Sequence, residues 1–283
     1  MNQFRRYSFK QIADSDIPLI ENTAAKLGIG IKQGSRFDTY FKCIRHLAES
    51  PQIAMAKYPM DVIIAALKEV DELYGIMVNF DIYISEIYSH KIKSILTGAN
   101  IPDYSERDTI ARNTAFELNM AAHFKKAGFS TKLCEPDIMV TIRESEIYIA
   151  CKRPASVKNL EKIIKNAKRQ IIRRGKGFIA LSLDKLINPS FNILEGTNTQ
   201  SITDRVIDEI NSFRIRNKLI IDHAADNRKI IGLIFSIGLV ANDLGEGIFV
   251  TCQQIITTNL CSINSPNISI FEEIEKSFVP ISF

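Results

Sequence analysis

The chain divides by the rhythm of its apolar positions. In the first hundred residues these recur at three- and four-residue spacing, over Ser35 to Glu49 and again over Ala54 to Tyr74. In the second stretch Val62, Ile63, Ala66, Leu67, Val70 and Leu73 form one broad stripe, and Pro59 suits an entry turn. Asp81 to Leu96 completes a predicted helical region, residues 1–100, in which no chemical motif stands out. A loop with Gly98 and Pro102 marks the expected boundary to a second domain, residues 101–283.

Beyond it the rhythm changes. Ser105 and Asp108 resemble a capping box opening a helix that ends at Gly128, with Asn113, Glu117, Met120, Ala121 and Phe124 on one side. Phe129 to Cys134 reads as a strand. From Glu135 to Pro154, two short β-branched runs flank a charged turn at Arg143 to Glu146, which predicts a β-hairpin. Antiparallel pairing brings Asp137, near its start, to the same end as Lys152. A helix over Val157 to Arg174 follows, then an apolar run, Phe178 to Leu183, of the kind buried on both faces. Asn188 to Thr199 reads as a loop, Ile202 to Ile221 as a helix, and Ile230 to Val240 and Ile248 to Ile256 as strands. The order from residue 105, α-β-β-β-α-β-α-β-β, makes an α/β architecture.

Composition narrows the function classes. No apolar run reaches the roughly 18 residues that span a bilayer, and the polar start lacks a secretory h-region, so a cytoplasmic location away from membranes is expected. The 5 cysteines never form a C-x-x-C pair, and the 4 histidines are dispersed, which argues against a disulfide framework or a zinc centre. The net charge is only +4, but ten Lys or Arg stand between Lys152 and Lys176 against the single acid Glu161. A polyanionic partner follows from that concentration. Lys158, Lys162, Lys165, Arg169 and Arg173 line one face of the predicted helix, while Arg153 is a phosphate-contact candidate by charge and position.

An acid on a helix (Glu117), Pro136-Asp137 on a strand, a second strand ending in Cys151-Lys152-Arg153-Pro154, a basic helix and a buried strand together resemble the PD-(D/E)XK nuclease superfamily. The resemblance covers residues 105–184. It implies a restriction-endonuclease-like αβββαβ core with a central mixed sheet, and metal-dependent hydrolysis of phosphodiester bonds in DNA rather than RNA, in restriction or phage defence. It further implies Glu117, Asp137 and Lys152 as catalytic residues, with Mg²⁺ or Mn²⁺ held by Asp137, Glu117 and the Cys151 carbonyl, and Gln170 near the phosphates. Such hard oxygen donors suit magnesium, and a lysine beside them can orient water or stabilise charge growing on phosphate. One position departs from the pattern: Ala150 stands where the superfamily carries Asp or Glu, so Glu161 and Glu117 become candidate replacements.

Each residue also has a plainer reading. Glu117 can be an exposed helix acid, Asp137 a turn former, Lys152 a strand-end lysine and the basic run a solvated face. The alternative function is then a catalytically inactive nucleic-acid-binding or assembly module of the same fold. The helices of residues 1–100 leave room for a homodimer contact.

Overall fold

The computed structural model describes residues 2–6, 8–80, 86–97, 110–190, 192–262 and 264–278. The predicted loop and boundary around residue 101, and the Ser105–Asp108 capping box, lie outside them.

The chain is α/β. Strand β1 (Asn2–Arg6) precedes helices α1 (Phe9–Gln11), α2 (Ile17–Lys26), α3 (Arg36–Glu49), α4 (Pro51–Lys57), α5 (Met60–Asn79) and α6 (Glu86–Thr97). Then come α7 (Ile110–Lys126), β2 (Ser130–Leu133), β3 (Ile138–Ile142), β4 (Ser145–Lys152), α8 (Leu160–Arg174) and β5 (Lys176–Ser182). The remainder is α9 (Asp184–Ile187), β6 (Leu194–Gly196), α10 (Thr199–Arg216), α11 (Lys218–Ala225), β7 (Ile230–Asp243), β8 (Ile248–Asn259) and α12 (Ile268–Phe278). Among the described residues no helix is long and apolar enough to cross a membrane.

Local chemistry accounts for several differences from the sequence reading. The stretch from Ala54 is broken at Pro59, whose missing N–H cannot continue a helix, so α5 begins one residue later. Ile202 to Ile221 is two helices meeting at Asn217, which bonds the Phe213 carbonyl through its side-chain amide. The loop after Asn188 contains the short strand β6. Helix α12, with Ile270, Phe271, Ile274 and Phe278 buried, went unpredicted.

One mixed sheet organises the rest, in the order β1-β8-β7-β5-β4-β3-β2, with β6 also on β7. Strands β4, β5 and β7 run parallel, while the β2-β3-β4 meander and the β7-β8-β1 side are antiparallel. The hairpin joining β3 to β4 turns at Arg143 and Glu144, both with positive φ (46° and 65°), as a two-residue turn between right-twisted strands requires. Gly177 on β5 passes so close to β4 that an added Cβ would lie 1.7 Å from the Tyr148 carbonyl oxygen.

Side-chain alternation gives the sheet two apolar faces. On one, Leu160, Ile164, Ala167 and Ile171 of α8 cover Ala150, Ile179 and Leu181. On the other, Leu118, Met120, Ala121 and Phe124 of α7 cover Ile138, Val140, Ile147, Ile149 and Cys151. Each such fully buried aliphatic side chain is worth about 1.5–3 kcal/mol of transfer free energy. The second face belongs to a cluster that also takes in Ile17, Ile20, Phe37, Ile44, Leu67 and Val70, so residues 1–100 share a core with the sheet. Polar links reinforce this: Thr251 donates to Asp71 at 2.6 Å, and Lys68 pairs with Asp184 at 3.0 Å. The region is also not wholly helical, because β1 pairs with β8.

Candidate functional site

Asp137 immediately precedes β3, and the hairpin register, Ile138 opposite Ile149, carries it to the carboxyl end of β4. Its Oδ2 accepts the Cys151 backbone N–H at 2.7 Å and the Lys152 ammonium at 3.2 Å. The Asp137 carbonyl accepts the Cys134 N–H at 3.2 Å, which fixes the turn from β2. The acid is nearly closed off, whereas the lysine side chain keeps 22% of its surface exposed.

Helix α7 supplies Glu117 from the opposite sheet face. Its Oε2 is held by the ammonium of Lys91 on α6. Burial, reinforced by the negative charge of Glu117 and opposed by Lys152 and the Cys151 N–H, pushes the Asp137 carboxyl up to about 6. Burial, with the Asp137 and Glu117 charges, also holds the Cys151 thiol well above its ordinary range, so this sulfur is a packed, protonated group rather than a nucleophile. Two acids and two lysines thus share one end of the sheet. Lys91 is the member that the sequence reading missed: its helix was expected, but nothing local joins it to an acid 26 residues away.

No family model matches the chain. A search of curated proteins also finds no match.

The donor set decides what the site can hold. Asp137 and Glu117 offer hard carboxylate oxygens, and Asp137 Oδ1 makes no hydrogen bond among the described residues. Burial, with the Glu117 charge beside it, raises the Asp137 carboxyl against the pull of Lys152, so a cation bound here would offset what holds the proton on. Magnesium commonly takes one or two protein carboxylates and completes its shell with water and phosphate, so these residues fit it as a sparse set. Among the described residues no three His, Cys, Asp or Glu side chains are grouped to form a fuller one.

Of the two expected replacements for the acid at position 150, Glu117 is within the field of Asp137 and Glu161 stands elsewhere. Glu161 is exposed and pairs with Lys165 at 2.6 Å, with His223 Nδ1 at 3.7 Å. Ala150 itself is wholly buried beneath α8.

The basic residues separate into groups. Lys162, Arg169 and Arg173 are exposed on α8, and Lys158 is exposed in the turn that precedes it. Lys165 is tied to Glu161, and Arg169 bonds Asn166 on its own helix. Because α8 runs back against β4, Lys158 and Lys162 stand near the Asp137 end and Arg173 near the other. Gln170 is half-buried, its Oε1 sealed without a hydrogen-bond partner among the described residues. Arg153 leaves this face altogether and turns Nη1 into the interior.

Proposed function

We propose that this chain is a metal-dependent nuclease of the PD-(D/E)XK type that hydrolyses phosphodiester bonds of DNA. The observation that carries the reading is the meeting of Asp137 and Lys152 at the end of β4, within the field of Glu117. The succession α7-β2-β3-β4-α8-β5, an αβββαβ order, supports it.

In this reading Asp137, Glu117 and the Cys151 carbonyl hold Mg²⁺ or Mn²⁺, which supplies charge neutralisation on phosphate and acidifies a water. The protein's own residues do the rest. The Cys151 N–H and Lys152 fix the Asp137 carboxylate through Oδ2, leaving Oδ1 without a hydrogen bond among the described residues. Lys152, still partly exposed, offers its ammonium to the attacking water or to an oxygen gaining charge. Lys158, in the turn before α8, and Lys162, in its first turn, attract the nucleic-acid backbone. Incubating plasmid with the protein and Mg²⁺ or Mn²⁺ tests this: wild type nicks or cuts, and Asp137→Ala and Lys152→Ala do not. Cleavage surviving both substitutions would remove the assignment.

A second reading, a DNA-binding module without hydrolysis, is favoured by the sealing of Ala150 and the engagement of Glu117 by Lys91. It is recognised by salt-sensitive DNA binding with no metal-dependent cleavage.

A further inference from the structure

Behind Arg153, a cavity of about 60 Å³ lies between α3, α5, α6 and α7 and the strands β5, β7 and β8. It opens beyond Ser182, the last residue of β5, and is rimmed by the exposed Pro189. Space outside the carboxyl ends of parallel strands is where α/β sheets characteristically receive ligands.

Its walls are charged yet almost wholly interior. Glu69 is clamped by Arg112 at 2.8 Å and by Arg36 at 3.2 Å. Burial would raise the Glu69 carboxyl, but Arg36, Arg112 and Lys68 outweigh it and hold it at about 2. Lys68 engages Glu72 at 2.6 Å and Asp184 at 3.0 Å. Asp184 in turn accepts the Gly238 N–H at 2.9 Å. Gly238 leaves room for this approach, since an added Cβ would lie 2.9 Å from Glu72 Oε1 and 3.1 Å from Lys68 Cε and displace the ends of those side chains. All three acids in the lining are therefore engaged by basic side chains.

Three groups that can donate are not engaged. Arg36 Nη1, Arg153 Nη1 and Ser182 Oγ are sealed from solvent without a hydrogen-bond partner among the described residues. Arg36 and Ser182 are 1% and 3% exposed. Buried donors are almost always satisfied, so three on residues that line one cavity point to an acceptor that the chain itself does not supply among the described residues. The lining carries Arg36, Lys68, Arg112, Arg153 and Lys185 against Glu69, Glu72 and Asp184, an excess of two positive charges. At roughly 10–15 Å³ per water-sized occupant, the cavity is of the order of a small polyatomic ion.

We propose that this cavity binds a phosphate dianion, as inorganic phosphate or as the terminal group of a phosphomonoester. Two negative charges match the excess, four oxygens supply acceptors to both guanidinium groups and the serine, and the rim leaves an exit for an attached group. The site uses none of Asp137, Glu117 or Lys152, so it stands or falls apart from the nuclease reading.

The test is a thermal-melt and ³¹P NMR titration of the full chain with phosphate at about pH 8, where phosphomonoesters are dianions. Ionic strength is held constant with chloride. Wild type is expected to show a saturable rise in melting temperature with phosphate and none with chloride. Arg153→Gln and Ser182→Ala are each expected to weaken phosphate binding about tenfold or more, a loss of roughly 1.4 kcal/mol. Far-UV circular dichroism checks folding, and Ser182→Ala, which removes one atom, carries the test where Arg153→Gln does not fold. Tighter binding of a nucleoside 5′-monophosphate than of phosphate, with none of the bare nucleoside, identifies the phosphomonoester as the source; preference for phosphate identifies the free ion. An equal response to phosphate and chloride, or unchanged affinity in a folded variant, overturns the proposal.

Discussion

Lys91 on α6 grips the carboxylate of Glu117 on α7, so the helical acid of the candidate site is already paired with a cation of the chain itself. An ion pair of this kind is worth on the order of 4 kcal/mol of Coulomb energy at an effective dielectric near 20, part of which an incoming cation must displace. Lys91→Met is therefore expected to tighten Mn²⁺ binding about tenfold, read by electron paramagnetic resonance of the free ion. Weaker binding in the variant would recast Lys91 as the group that positions Glu117.

Asp137 makes stability depend on pH in an unusual direction. It keeps its proton up to about pH 6 in the folded chain, against an ordinary value of 3.8. Between these values the folded state binds more protons, so its contribution is fully present below the lower value and lost as pH rises through the upper one. The loss is on the order of 2–3 kcal/mol. Asp137→Asn should melt above wild type at about pH 8 and converge with it by about pH 4, measured by calorimetry across that range. A constant gap would mean that the carboxyl is not perturbed.

Ala150→Glu inserts a carboxylate beneath Leu160 and Ile164, where position 150 has no exposed surface. A buried, unpaired charge costs several kcal/mol. The variant is expected to lose stability without gaining cleavage. A folded, more active protein would show that this face yields to make room for a metal ligand.

The exposed lysines at and just before the start of α8 give a graded forecast. Replacing Lys158 and Lys162 by glutamine should flatten the logarithmic salt dependence of DNA binding by about 1.8, roughly 0.9 for each phosphate contact. Arg173→Gln, about three helical turns from the Asp137 end, should change it far less. Fluorescence anisotropy over a salt series distinguishes the two.

Glu144 sits at φ 65° in the hairpin turn, a conformation costing an L-residue about 1–2 kcal/mol. Glu144→Gly relieves this and costs part of it back in chain entropy, for a net gain of about 0.5–1 kcal/mol in chemical denaturation. A loss instead would mean that the turn depends on the glutamate side chain.

These residues also show what a linear reading reaches. Asp137 and Lys152 belong to one hairpin, whose register follows from alternation over a dozen residues, and their meeting was legible. The burial of Leu160, Ile164, Ala167 and Ile171 followed equally from helical spacing. Lys91 and Glu117 meet only because α6 packs on α7, and Arg36 meets Glu69 and Arg112 only in the finished core. Arg153 was grouped with the α8 lysines by adjacency; the end of β4 instead directs it inward, a choice made by tertiary packing. Strand β6 owes its existence to pairing with β7 rather than to any run of its own.

Strand β1 finds its neighbour almost a whole chain away, with Asn2 opposite Gln254 and Arg6 opposite Val250. During synthesis its backbone donors and acceptors must wait for β8, and the helices that follow it wait for the sheet face they cover. The final closure of this protein is thus a long-range event, and while it is pending the β8 edge is open to pairing with strands of other chains.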